Sequence, residues 1–231
     1  MGSIGSNLQE VKRRIAAACQ GAARPANSVT LLAVSKTFGA DAVRQACAAG
    51  QCAFGENYVQ EALAKIEELA DLRSQLQWHL IGPLQSNKTR AVAEAFDWVH
   101  TVDRLKIAER LAEQRPAALV PLNICLQVNI SSAASKSGVL SGDTLALAQA
   151  VAALPRHRIV LRGLMAIPEP ASDMAAQRAP HRALRELLAA LNVTGLGLDT
   201  LSMGMSADLE AAVAEGATLV RVGSAIFGSR G

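Results

Sequence analysis

Aromatic residues are what this chain has least of: four Phe, two Trp and a single Tyr in 231 residues. That scarcity argues against base-stacking platforms and aromatic cages. Charge of one sign is lacking too. Lys and Arg number 23 against 20 Asp and Glu, a net charge of +3, and no Lys/Arg run forms a stripe, so no nucleic-acid partner is expected. The four cysteines, Cys19, Cys47, Cys52 and Cys125, make no CxxC and no Cys/His cluster of zinc spacing, so no metal is expected. Three of them sit in apolar or Ala-rich runs, where a free buried thiol is the plain reading. A reducing compartment, the cytoplasm, follows rather than a secreted disulfide scaffold. No apolar stretch approaches the roughly 18 uncharged residues of a membrane-spanning helix, so no membrane partner is expected. The N-terminus has neither the basic region nor the apolar run of a signal peptide. It fits the short myristoylation pattern through Gly2 and Ser6, a pattern that recurs by chance.

What is present is a hydrophobic half of the composition and a regular alternation. Short β-rich runs end in polar or Gly-containing loops, and each loop leads into an Ala/Leu/Glu/Arg-rich amphipathic stretch. After a first helix near Leu8 to Ala22, strands are expected at Val29–Val34, Cys52–Phe54, Gln77–Ile81, Trp98–Val102, Leu122–Ile130, Ile159–Leu164, Thr200–Ser202 and Thr218–Val222. Helices are expected at Ala40–Ala49, Val59–Leu72, Lys88–Ala95, Arg104–Gln114, Thr144–Ala153, Ala179–Leu191 and Ala207–Glu215. That alternation is the count of a single-domain (β/α)8 TIM barrel spanning residues 1–231. A doubly wound sheet would also alternate. The position of the polar clusters favours the barrel, since nearly all fall just after a strand, where barrel active sites lie.

Lys36 ends the first strand in Leu-Leu-Ala-Val-Ser-Lys and should point to the barrel mouth. A lysine so placed can form a Schiff base with a carbonyl compound; the alternative is an ordinary strand-terminal lysine reaching solvent. Lys88 and Lys136 also follow strands, whereas Lys12, Lys65 and Lys106 lie on helices with nothing notable around them. The segments 201–206 (Leu-Ser-Met-Gly-Met-Ser) and 221–228 (Arg-Val-Gly-Ser-Ala-Ile-Phe-Gly) follow the seventh strand and end the eighth. Phosphate sites in such barrels are commonly built there, and Ser202, Gly204, Ser206, Gly223 and Ser224 suit an anion cradle. Arg221 could be a core-capping arginine, a phosphate clamp or a donor to a ring nitrogen. His79 and His100 read as satisfied strand histidines, and Met203 and Met205 as packing residues.

The segments 33–36 (Ala-Val-Ser-Lys), 54–61 (Phe-Gly-Glu-Asn-Tyr-Val-Gln-Glu) and 78–88 (Trp-His-Leu-Ile-Gly-Pro-Leu-Gln-Ser-Asn-Lys) resemble the pyridoxal phosphate homeostasis protein family. So do 127–131 (Gln-Val-Asn-Ile-Ser), 135–138 (Ser-Lys-Ser-Gly), 163–168 (Gly-Leu-Met-Ala-Ile-Pro) and both loops at the seven–eight corner, in order along the whole chain. The resemblance implies a barrel like the alanine racemase N-terminal domain, carrying pyridoxal 5′-phosphate (PLP) as an aldimine on Lys36. The cofactor-binding set it implies is Lys36, Asn57, Ser202, Met203, Arg221, Gly223 and Ser224. Within it, Arg221 faces the pyridine nitrogen, Ser202, Gly223 and Ser224 hold the phosphate, and Asn57 lies near the ring. Departures are modest: Ser224 and Thr101 exchange one hydroxyl residue for another, and 131–134 (Ser-Ser-Ala-Ala) lacks an acidic residue often seen there.

Guanidinium stays protonated, so an arginine cannot give the ring nitrogen a proton, and the ring is a weaker electron sink. The resemblance thus implies a carrier that stores or buffers PLP, with apo PLP-dependent enzymes as recipients. The alternative is a PLP-dependent amino-acid racemase or decarboxylase of low activity. Racemases of this type bring a second base, a tyrosine, from an additional β domain. This chain is expected to lack that domain, and with it the usual dimer-forming element, so a monomer is expected. Its one tyrosine, Tyr58, lies in the second βα loop. A third reading, a phosphosugar isomerase with Glu56 as base and Lys36 as electrophile, is opposed by the resemblance.

Overall fold

The computed structural model describes residues 2–131 and 137–228. Lys136 therefore lies outside the described residues. Nine strands and nine α-helices are found among those described: β1 (Thr30–Val34), β2 (Ala53–Glu56), β3 (Gln77–Leu80), β4 (Trp98–Val102), β5 (Leu122–Asn129), β6 (Val139–Leu140), β7 (Ile159–Met165), β8 (Thr200–Ser202) and β9 (Leu219–Val222). The helices are α1 (Ile4–Gly21), α2 (Ala40–Ala48), α3 (Val59–Glu68), α4 (Thr89–Ala95), α5 (Leu105–Gln114), α6 (Thr144–Ala152), α7 (Met174–Val193), α8 (Leu209–Ala214) and α9 (Ser224–Phe227).

Eight of the strands run parallel in the order β4-β3-β2-β1-β9-β8-β7-β5, and pairing of β4 with β5 closes the ring. The fold is an eight-stranded parallel α/β barrel. The ninth strand, β6, is a two-residue parallel addition to β5 and was not expected from the sequence. The other strands fall within two residues of their expected ends.

Three helices depart further, and the first of them, α1, begins at Ile4, four residues before the expected Leu8. The stretch expected as one helix to Leu72 is α3 followed by a 3-10 turn at Ala70–Leu72. The helix expected from Ala179 begins at Met174, where the Asp173 side chain accepts the Ala176 N–H, and it carries Pro180 inside. Proline there removes one helical donor, yet the Asp173 cap and the buried face of His181, Leu184 and Leu191 sustain the helix across it.

Period-two alternation divides the barrel into two faces. Leu31, Ala33, Phe54, Trp78, Ile124 and Val220 join the main apolar core with the helices. Leu32, Ala53 and Leu219 form a separate small cluster inside the barrel. On α1, Leu8, Val11, Ile15 and Cys19 form the buried stripe that a 3.6-residue repeat produces. No helix among the described residues is long and apolar enough to cross a membrane.

Candidate functional site

A cavity of about 400 Å³ opens where β1, β2, β8 and β9 end, within the range of small-molecule sites. Of the expected site residues, Lys36, Asn57, Arg221, Gly223 and Ser224 line it. Lys36 occupies the turn after β1 and is half-buried. Arg221 and Gly223 come from the end of β9, the neighbour of β1 in the ring. Ile81, Ile167 and Phe38 supply apolar walls, and Phe38 stacks on Phe227 of α9 at 5.1 Å between centroids. A Cβ on Gly223 would stand 3.1 Å from the Val34 carbonyl, so the bare backbone is what keeps that wall thin.

Ser202 and Met203 are placed differently from the rest of the set. Alternation turns Ser202 inward, completely buried beneath the cavity, and Met203 outward into the main core. From the same loop, Met205 and Ser206 line the cavity instead. Met205 is thus a cavity residue and partly exposed, not the packing residue expected.

A chain of hydrogen bonds crosses the barrel below the cavity. Arg221 donates to the Ser202 hydroxyl at 2.8 Å, to the Ser202 carbonyl at 2.7 Å and to the Ala166 carbonyl at 2.9 Å. Ser202 Oγ lies 2.8 Å from His100 Nδ1, and His100 Nε2 lies 3.0 Å from His79 Nδ1. One proton order satisfies every hydroxyl and nitrogen but one. The Ser202 hydroxyl accepts from Arg221 and donates to His100 Nδ1. His100 Nε2–H then donates to His79, which leaves His79 Nε2 without a partner.

Burial pushes the His79 pKa down to about 3. Burial, then the neighbouring His79 and Arg221 charges, hold His100 well below the ordinary histidine value. Both rings are therefore neutral at pH 7. Burial also lowers Arg221 to about 10, against the pull of Asp208. Its guanidinium has no carboxylate in ion-pair contact among the described residues. No group of three or more His, Cys, Asp or Glu among those residues could hold a metal ion.

Three elements hold the loops around the cavity. After β8, Asp208 accepts the Met205 N–H at 2.7 Å and pairs with His181 of α7 at 2.8 Å. Burial alone would raise the Asp208 carboxyl, but these bonds outweigh it and hold it below the usual range. After β3, Thr101 donates to the Gly82 carbonyl at 2.8 Å. A Cβ on Gly82 would run into the Asn57 carbonyl, so glycine lets this loop press against Asn57.

The third element corrects the expectation for Lys65 and bears on the disfavoured isomerase reading. Lys65 is 4% exposed and donates to Glu56 Oε1 at 2.6 Å and to the Ser35 carbonyl at 2.9 Å. It is not the unremarkable helix lysine expected. Glu56 is completely buried on the outward face, where it accepts the Ser35 hydroxyl at 2.6 Å. Desolvation raises its pKa although Lys65 pulls it down. It does not line the cavity, so it cannot act as the base of an isomerase there. Neither partner carried a sequence signal beyond the spacing that puts Glu61 and Lys65 one turn apart on α3.

The alanine racemase N-terminal domain model matches residues 6–231. The chain is 63% identical to the pyridoxal phosphate homeostasis protein of Pseudomonas aeruginosa, covering 100% of this chain and 97% of that protein. It is 53% identical to the protein of the same description from Escherichia coli K12, covering 100% and 98%. The structure of PipY from Synechococcus elongatus with PLP bound superimposes with a TM-score of 0.84 at 40% identity, over 98% of this chain and 100% of that one.

Proposed function

The chain belongs to the pyridoxal phosphate homeostasis protein family, and from that premise we propose that it binds PLP at the barrel mouth, holds it covalently on Lys36 and supplies it to other proteins. The observation that carries this reading is one cavity lined by an amine, Lys36, a buried guanidinium, Arg221, and a Gly-Ser pair, Gly223 and Ser224.

The residues present fit the group. Asn57 Oδ1 is buried without a partner and belongs to a residue of the cavity wall. Ser206 and Ser224 bring hydroxyls for a phosphate, and Gly223 leaves the wall open to it. Arg221 is a buried cation fixed by three hydrogen bonds, suited to donate to a ring nitrogen and leave it unprotonated. PLP supplies an aldehyde. Lys36 condenses with it, the amine nitrogen and aldehyde carbon forming a C=N bond as the oxygen leaves in water, with no oxidation or reduction. Ser202 serves from below, as the tether of Arg221 rather than as a phosphate donor.

Custody suits this lining better than turnover. Among the described lining residues, Lys36 and Arg221 are the only ionisable side chains, so none of these residues supplies a second base. Tyr58 is 53% exposed and does not line it. Apo PLP-dependent enzymes are the proposed recipients, and free thiols suit the reducing cytoplasm as the place of exchange.

Reconstitution with PLP tests the reading. The wild-type protein should gain visible absorbance, and Lys36→Ala should lose it with the far-UV circular dichroism unchanged. Holo protein should then pass PLP to an apo enzyme in stoichiometric amount. Many turnovers per site with any amino acid would instead make the chain an enzyme.

A further inference from the structure

The turn that carries Lys36 has an unusual backbone. Ser35 to Phe38 is closed by the Phe38 N–H on the Ser35 carbonyl at 3.1 Å. Its third residue, Thr37, has φ +68. A type II turn has this sign at its third position and ordinarily places glycine there. Threonine, branched at Cβ, takes a left-handed conformation only at a cost of roughly 1–3 kcal/mol, so the surroundings must hold it.

The surroundings are an ionic cluster on the outward side of the same turn. Glu61 Oε1 accepts the Thr37 N–H at 2.6 Å, and Lys65 Nζ lies 3.2 Å from that same oxygen. Lys65 also binds the Ser35 carbonyl, and Glu56 accepts the Ser35 hydroxyl. Both neighbours of Lys36 are therefore tied to α3 and β2, while Lys36 itself faces the cavity. Exchange between type I and type II turns flips the central peptide, here Lys36–Thr37. A hydrogen-bond acceptor fixed on one side of that peptide selects a single orientation of its N–H.

We propose that Glu61, braced by Lys65 and Glu56, is a positioning residue that locks the Lys36–Thr37 peptide and so aims the Lys36 amine into the cavity. The importance of the aim rests on Lys36 being the PLP-binding lysine; the lock itself does not. Glu61 does not line the cavity and reaches Lys36 through the Thr37 N–H.

The test compares wild type, Glu61→Ala, Glu61→Gln and Lys36→Ala as full-length proteins. Two quantities are measured: PLP titration followed by borohydride-trapped pyridoxyl label, and hydrogen exchange of the Thr37 amide without PLP. Glutamine keeps an oxygen that can accept the Thr37 N–H, whereas alanine has none. Glu61→Ala should weaken Lys36 labelling about tenfold (roughly 1.4 kcal/mol) and speed Thr37 exchange about tenfold. Glu61→Gln should stay within about twofold of wild type in both. Glu61→Ala matching wild type would overturn the proposal, as would Glu61→Gln falling as far as alanine, since charge and not the hydrogen bond would then matter. Labelling of Lys36→Ala equal to wild type would instead sink the PLP assignment, and Thr37 exchange would still decide whether the lock exists.

Discussion

On the outward face of the barrel strands, Phe54, Trp78, Leu80, Ile124 and Val220 are buried against helices in one apolar core. On the inward face of the same strands, His79, His100, Ser202 and Arg221 form a hydrogen-bonded chain, and Leu32, Ala53 and Leu219 with Ile81 packed against them form a small apolar cluster of their own. Alternate residues of each strand thus serve different ends. Apolar burial is non-directional and tolerates many solutions, so the outward layer secures the barrel. Hydrogen bonds are directional and costly to leave unmade, so the inward layer fixes the orientation of one guanidinium below the cavity.

The sharpest way to break this contrast is to remove one large side chain from the outward layer. Phe54 is completely buried and packs on Trp78 with ring centroids 5.9 Å apart. Phe54→Ala should cost about 3–5 kcal/mol in urea denaturation, a large share of the roughly 5–15 kcal/mol typical of a domain. A loss below about 1 kcal/mol would mean that stability lies elsewhere.

The inward layer should reveal itself through pH. His79 and His100 bind protons below pH 6.5 when unfolded but stay neutral in the folded barrel, because burial depresses their pKa values. With depressed folded values, the unfolded state takes up more protons as pH falls below 6.5. Stability is therefore lost on acidification toward about pH 3, at up to about 1.4 kcal/mol per histidine per pH unit. Between pH 7.5 and 5.5 the pair should cost about 2–3 kcal/mol, and replacing both by apolar residues should flatten the profile. A wild-type profile already flat over that range would contradict the buried neutral pair.

Much of this division is legible in the sequence, and particular residues show where legibility stops. Strand ends are readable because each apolar run meets a turn. The cavity residues Lys36, Asn57, Arg221, Gly223 and Ser224 are readable because each follows or ends a strand. Ser202 and Met203 follow the same rule of place, yet alternation sends one below the cavity and the other into the core. Strict period-two counting from Leu201 would have separated them. The Lys65–Glu56 pair was not readable, because it depends on how α3 settles over the ends of β1 and β2. Pro180 concealed the start of α7, since the cap that sustains the helix is seven residues upstream at Asp173.

A smaller effect sharpens the account of the inward layer. Ser202→Ala deprives Arg221 of one acceptor and His100 of its donor, and should cost about 1–2 kcal/mol of stability. It should shift the absorbance of bound PLP more than it weakens retention, because Arg221 keeps its two carbonyl partners. Retention lost as completely as in Lys36→Ala would place Ser202 in direct contact with the cofactor.

The central claim is that Lys36 is the residue that holds PLP. Borohydride reduction of the PLP-loaded protein, followed by peptide mapping, tests it most directly. The account predicts one pyridoxyl group per chain, on the peptide containing Lys36. A pyridoxyl group on Lys88 or Lys136 with Lys36 unmodified would contradict it.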